Sequence, residues 1–140
     1  MRKASLLFIA GVIIFAVAIF SQEPAVKKGS APPTSPASGQ QMYEAYCASC
    51  HGRGGKGDGP AAAALKTPPA NLTTLTQRNG GKFPAAHVSE VIRNADISAH
   101  GSQEMPVWGP VFRSLSEGRE SEVRLRINNL TRYLESIQQK

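Results

Sequence analysis

Both cysteines of this 140-residue chain lie in one short string, Cys47-Ala48-Ser49-Cys50-His51. Two thiols three positions apart at the end of a helix project toward one side of it, and the next residue adds an imidazole beside them. This string holds both thiols of the chain and one of its three histidines. With only two cysteines, the chain is not a disulfide-dense small protein.

The Cys-x-x-Cys-His string predicts a covalently attached haem. In c-type attachment the two thiols add to neighbouring vinyl groups, and the imidazole lies under the iron. A thioredoxin-like redox pair needs a strand before the motif, whereas a helix is predicted before Cys47. A zinc site needs further ligands at regular spacing, but His87 and His100 are isolated. A structural disulfide would close a strained short loop and would leave His51 unexplained. We therefore expect one haem c, attached through Cys47 and Cys50, with His51 as an iron ligand.

The first 38 residues are predicted to be an export segment and a linker. Arg2 and Lys3 precede fifteen uninterrupted apolar residues that end at Phe20. A cationic stretch before an apolar one marks an export signal, and this length lies between a signal-peptide core and a minimal membrane span. Residues 1–21 are thus a signal peptide or a membrane anchor, with residues 4–20 in the membrane if uncleaved. Residues 22–38, rich in Pro, Ala and Ser, predict a semi-extended linker. Residues 39–140 are left as the folded domain.

These segments predict the compartment. The positive end stays inside, so the chain after Phe20 faces outward. We expect the domain on the periplasmic side of a bacterial inner membrane, anchored there, or soluble in the periplasm after cleavage.

The charge pattern argues against a nucleic-acid partner. The formal net charge is +6, but the basic residues are scattered, and Lys27-Lys28 is the only adjacent basic pair after residue 3. No basic stripe is interleaved with aromatic residues, as a nucleic-acid face would require. A mild positive field of this kind suits the steering of an acidic protein partner.

From residue 39 to about residue 138, the chain resembles the mono-haem class I c-type cytochromes, in particular small bacterial domains related to the haem-c subunits of respiratory oxidases. The attachment string, the pair Gly39 and Tyr43 before it, and the glycine-rich loop that ends at Pro60 occur in the family's order. The resemblance implies an all-α fold of three to five helices around one covalent haem. It also implies that Gly39 and Tyr43 pack against the C-terminal helix, where Leu130 and Tyr133 match the family's contact pair.

Apolar periodicity supports the helical reading. The residues of one stripe recur at spacings of 4, 3, 4 and 3, which is typical of one face of a helix; they are Val123, Ile127, Leu130, Leu134 and Ile137. Arg124, Arg126 and Arg132 are expected on its solvated face. A further helix is expected over Pro84–Ala95, with His87 on its surface.

The resemblance also assigns roles around the iron. Met105 resembles the family's axial methionine, since Pro106 keeps it out of helical conformation and a thioether is a soft ligand. His100 is the rival ligand, and an open distal site is the third possibility. The glycine-rich loop would let backbone approach the porphyrin, and the carbonyl of Pro60 would accept the Nδ1–H of His51. Trp108 either packs against the haem or is a core aromatic residue.

Filled axial positions leave no place for a substrate on the iron. We therefore expect a one-electron carrier in an exported respiratory or redox chain, not an enzyme, whose partners are other redox proteins met through transient contacts. Two alternatives stay open. One is a haem enzyme or gas sensor with an open distal site, and the other is an integral haem subunit of a larger oxidase or dehydrogenase.

Overall fold

The computed structural model describes residues 31–94 and 105–140. Within them the chain forms six α-helices and two 3₁₀ helices, without a strand. The α-helices are α1 (Gly39–Tyr46), α2 (Ala48–His51), α3 (Leu75–Arg78), α4 (Ala85–Asn94), α5 (Trp108–Leu115) and α6 (Glu120–Ser136), and the 3₁₀ helices are Ala62–Ala64 and Leu72–Thr74. The all-α class is confirmed. The helix count exceeds the expected range because Cys47 separates α2 from α1 and α3 is a single turn.

The predicted signal peptide or anchor at residues 1–21 lies outside the described residues, as do residues 22–30 of the linker. In the part of the chain that the structure describes, no helix combines the length and the apolar character needed to cross a membrane.

Helices α1 and α6 cross at Gly39. A Cβ atom at this position would overlap the carbonyl oxygen of Asn129 and lie 2.7 Å from Cβ of Tyr133. Only glycine permits so close an approach of the two helices. One turn later, the rings of Tyr43 and Tyr133 pack with their centroids 5.3 Å apart. The predicted contact between the two terminal helices of the domain is confirmed.

Helix α6 supplies one wall of the core. The exposed fractions of four residues in its predicted stripe are 5% or less; they are Val123, Ile127, Leu130 and Leu134. Ile137 is partly buried at the end of the helix. The expected solvated face is wrong at one position, because Arg126 is only 4% exposed.

Residues 31–38, here called the strap, pack along the domain. Side chains of α1 and α6 donate hydrogen bonds to three of its carbonyl oxygens: Tyr46 to Pro32 (2.6 Å), Arg126 to Thr34 (3.0 Å) and Asn129 to Pro36 (2.9 Å). The described end of the predicted linker is therefore held against the helices of the domain. These carbonyl groups have no side-chain signature, which is why the composition of the strap suggested only a linker.

Arg126 carries a buried charge that is fully partnered. It donates to Glu122 Oε1 at 2.9 Å, to Ser116 Oγ at 3.2 Å and to the strap. Hydrogen bonds from Arg119, and then from Arg126, lower the pKa of Glu122. A buried guanidinium is tolerated only with such partners, so this cluster fixes the strap against α6.

Replacing Gly39 tests the helix crossing. We expect Gly39→Ala to lower the free energy of unfolding of the haem-loaded protein by about 2 kcal/mol, because the added Cβ meets backbone that cannot move aside. Denaturant unfolding measures the change. Gly54→Ala is the matched control, since its Cβ would lie 4.0 Å from the nearest atom, Cγ of Lys56. If Gly39→Ala and Gly54→Ala had the same free energy of unfolding, the close approach of α1 and α6 at Gly39 would be contradicted.

The Glu122 cluster predicts a pH dependence of stability. Because the folded-state pKa of Glu122 lies below its usual value, its ionised form stabilises the fold above the unfolded-state pKa. This contribution is lost as the pH falls through the folded-state pKa. We expect Glu122→Gln to be less stable than the parent chain at neutral pH, with the difference shrinking under acid. If the parent chain and Glu122→Gln differed in stability by the same amount at neutral and at acidic pH, the charge of Glu122 would not stabilise the fold.

Candidate functional site

The attachment string lies on the turn where α1 gives way to α2. Cys47 ends α1 with a φ of −114°, and α2 carries the rest of the string. The amides of Cys50 and His51 both donate to the carbonyl of Cys47, at 3.2 and 2.9 Å. The two cysteines are partly exposed free thiols, whereas His51 is buried. The local helical geometry thus gathers both thiols and the imidazole on one turn.

The orientation of His51 is set by one hydrogen bond. Its Nδ1 lies 3.0 Å from the carbonyl oxygen of Ala70. Because a carbonyl can only accept, Nδ1 carries the proton and Nε2 keeps its lone pair. Burial lowers the pKa of His51, with the bond to Ala70 acting in the opposite direction. The side chain is therefore a neutral imidazole whose Nε2 is suited to bind a metal.

The prediction that the carbonyl of Pro60 accepts the hydrogen bond from Nδ1 of His51 is wrong. Pro60 is exposed, and its neighbours Gly59 and Ala61 donate backbone hydrogen bonds to carbonyls of α2 at 3.1 and 2.9 Å. These bonds hold the chain at Pro60 against the backbone of α2, while the carbonyl of Ala70 reaches His51. The role that the resemblance gave to Pro60 is filled by Ala70.

The glycine-rich loop positions Ala70. Gly57 has a φ of +85°, and a Cβ there would overlap the carbonyl oxygen of Pro69. The amide of Gly57 donates to the carbonyl of His51 at 2.8 Å, and the amide of Leu72 donates to Gly55 at 2.7 Å. The loop therefore packs on protein backbone, and residues 52–60 do not line the described part of the adjacent cavity.

A largely apolar cavity opens beside His51. It has two adjacent compartments of about 330 and 60 Å³. Five residues line both: Cys47, His51, Ala70, Met105 and Trp108. Apolar side chains of α4 and α6 wall the larger compartment, and Cys50 lies at the smaller one. The cavity thus joins both thiols, the imidazole and a thioether in one space.

The cavity fits a haem by the chemistry of its donors. Two thiols lie on one helical turn, a neutral imidazole lies beside them, and Met105 is half-buried against the same space. Trp108 lines both compartments and stacks on Tyr46 with ring centroids 5.1 Å apart, so it is both a core aromatic residue and a wall of the site. His100 lies outside the described residues.

Three polar side chains also line the larger compartment: Arg78, Asn79 and His87. His87 is exposed on α4, as expected, and additionally contributes to the cavity wall. The predicted helix over Pro84–Ala95 is observed as α4, and Ala95 lies outside the described residues. Sequence reasoning missed Arg78, Asn79 and Ala70. The run Pro68-Pro69-Ala70 marks a turn, but no side chain there announces that a carbonyl will bind His51.

The thiol of Cys47 is poorly suited to redox exchange. Burial, together with the charge of Cys50, raises the pKa of Cys47 to about 12. Dithiol oxidoreductases need the opposite shift, because the thiolate is the attacking species. This electrostatic environment disfavours the thioredoxin-like alternative.

Comparison with family models matches residues 34–118 to the family described as cytochrome C oxidase, cbb3-type, subunit III. The match covers more than half of the chain. The chain belongs to this family. It is a c-type cytochrome domain with an all-α class I fold, and the chemistry of such domains is haem-based electron transfer. No curated protein and no solved structure matches the chain. The match begins at residue 34, within the strap.

Gly57→Ala tests the support of His51. The added Cβ should push Pro69 away and weaken the hydrogen bond from Nδ1 of His51 to the carbonyl of Ala70. The imidazole would then donate less electron density to the iron. We expect the midpoint potential of the haem-loaded protein to rise by some tens of millivolts, as measured by redox titration. Gly54→Ala, in the same loop, should leave the potential unchanged. An unchanged potential in Gly57→Ala would argue against this linkage.

Proposed function

We propose that the chain is a one-electron carrier with one haem c, attached through Cys47 and Cys50 and coordinated by His51 and Met105. The observation that carries the proposal is the shared lining of both cavity compartments by His51 and Met105, with Cys47 beside them. Side chains of these types in one apolar space match the ligand set of a low-spin cytochrome.

Each residue has a distinct task in this arrangement. When bound, the haem supplies reversible one-electron chemistry at its iron. Ala70 holds His51 in the tautomer that presents Nε2. Met105 offers a soft thioether, and ligation by methionine and histidine raises the reduction potential. Pro106 restrains the backbone that presents Met105.

The cavity wall supports transfer and disfavours catalysis. Apart from His87, the residues that α4 and α6 place along it are aliphatic, such as Val88, Ile92 and Leu130. An apolar wall keeps water away from the iron and limits competing reactions. With His51 and Met105 on the iron, no coordination position remains for a substrate, so the chain acts as a carrier and not as an enzyme.

We place the domain on the periplasmic side of a bacterial inner membrane, anchored by residues 4–20. The support is the cationic start followed by the apolar run that ends at Phe20, a pattern typical of export. Its partners are redox proteins that bind transiently, and the scattered charge gives no reason to expect nucleic acid.

The family description favours a second candidate function, that of a haem subunit within an oxidase complex. Extraction of the full chain in mild detergent distinguishes the two. A carrier should separate from oxidase subunits on sizing, whereas an integral subunit should stay with them.

Replacement of Met105 tests the ligand set. We expect Met105→Leu to abolish the weak red-edge absorption band of the ferric protein and to let the ferrous protein bind carbon monoxide, because the sixth position opens. Optical spectra in both redox states measure this. Met42→Leu is the matched control, since Met42 is fully buried in the core away from the cavity.

The unmodified chain should show sharp low-spin bands and bind carbon monoxide poorly. A high-spin parent spectrum, or one that does not change in Met105→Leu, would refute ligation by Met105 and favour a haem enzyme or a gas sensor.

A further inference from the structure

Gly109 lies where the start of α5 meets the end of α4. It is the second residue of α5 and is buried. A Cβ atom at this position would overlap the carbonyl oxygen of Arg93 and lie 3.2 Å from its carbonyl carbon. Arg93 belongs to the last turn of α4. The two helices therefore touch backbone to backbone at this point, with no side chain between them.

The backbone conformation of Gly109 does not itself require glycine. The residue is helical and is not among the glycines with a positive φ. Within a helix, alanine is more favourable than glycine. A glycine inside a helix therefore needs a packing reason, and here the carbonyl group of Arg93 takes the space that a Cβ would fill.

The position of α5 determines where Met105 can reach. Only Pro106 and Val107 separate Met105 from Trp108, the first residue of α5. Pro106 fixes its own φ and restricts the backbone of Met105. Met105 lines the larger compartment together with apolar residues of α4 such as Ile92. A change in the separation of α4 and α5 therefore moves Met105 relative to the wall of the site.

Both helices are also held by the rest of the domain. Trp108 stacks on Tyr46 of α1, and the fully buried ring of Phe112 lies 5.9 Å from that of Tyr46. Helix α4 packs on α6, where Ser89 Oγ lies 3.1 Å from Thr131 Oγ1. Closely packed interiors transmit a displacement instead of absorbing it. An extra atom between α4 and α5 would thus be felt at Met105.

We infer that Gly109 is a positioning residue for the sixth iron ligand: its contact with Arg93 holds α5 where the thioether of Met105 reaches the haem. The inference rests on the proposed function, because it requires ligation by Met105. Gly109 lines neither compartment of the cavity, so it acts through Met105 and not by contact with the haem. Ligand groups must be held to within about 0.5 Å of their productive geometry, and a Cβ at Gly109 would force α4 and α5 apart by more than that.

Gly109→Ala in the haem-loaded full chain tests the inference. Added imidazole competes with Met105 for the ferric iron, and its apparent affinity rises with the fraction of molecules in which the sixth position is open. We expect this affinity to rise at least tenfold in Gly109→Ala, with a weaker red-edge band. Optical titration with imidazole measures both changes.

Two control variants separate positioning from a general loss of stability. Gly54→Ala adds the same methyl group where the nearest atom is 4.0 Å away. Val123→Ala removes volume from the core at a residue that is 2% exposed and lines neither compartment. Both should keep the parent affinity for imidazole, even where denaturant unfolding shows lower stability. An equal rise of the affinity in Val123→Ala would make the effect of Gly109 one of stability alone and would overturn the inference.

Hydrogen exchange of the parent chain gives a second test, which does not depend on the folding of a variant. Coupling between two sites is reciprocal. If the contact of α4 with α5 favours ligation by Met105, displacement of Met105 by imidazole must loosen that contact. We expect the amides of α5 to exchange faster when imidazole is bound, while those in the middle of α6 keep their rates. Unchanged exchange in α5 would overturn the inference.

Failure of the inference differs from failure of the proposed function. A parent chain without the red-edge band would overturn the proposed ligand set, and the inference with it. A parent chain that has the band, in which Gly109→Ala changes neither the band nor the affinity for imidazole, would overturn the inference and leave ligation by Met105 intact.

Discussion

The crossing of α1 over α6 at Gly39 is the contact on which the site depends. Because no side chain separates the backbones there, the register of α1 on α6 is fixed by Gly39 and by the packing of Tyr43 against Tyr133. The string that begins with Cys47 follows directly from α1, so its position over the cavity follows from the same contact. Tyr43 also donates to the carbonyl of Gly52 at 2.6 Å, which ties the loop beyond α2 to this crossing.

Cofactor binding and folding draw on the same apolar surface. Leu130 and Leu134 of α6 belong to the core and also line the cavity opposite α4. Covering such surface is the main favourable contribution to the folding of a small domain. The haem-loaded chain should therefore derive part of its stability from contacts with its cofactor, as expected when a ligand binds only the folded state.

Features that depend on a local pattern of side chains could be predicted from the sequence. Contacts made by backbone carbonyl groups could not. The apolar stripe of α6 is a local pattern that indicated its helix correctly, and the attachment string is a local pattern that the structure places on one helical turn. The acceptor for His51 is a carbonyl of Ala70, nineteen positions away, and any residue type offers a carbonyl. In sequence Arg126 is like Arg124 and Arg132, which are exposed, yet Arg126 is buried and hydrogen-bonded to Thr34. Because Thr34 lies 92 positions earlier, no local pattern around Arg126 indicates this contact.

The central claim is that Cys47 and Cys50 hold one haem covalently, and mass spectrometry tests it most directly. The full chain would be produced with a cytochrome maturation system, denatured in acid, and weighed intact beside a variant with both cysteines changed to serine. The account predicts that the parent chain keeps the added mass of one haem after denaturation, while the variant does not. A parent chain that releases its haem in acid, or never gains that mass, would contradict it.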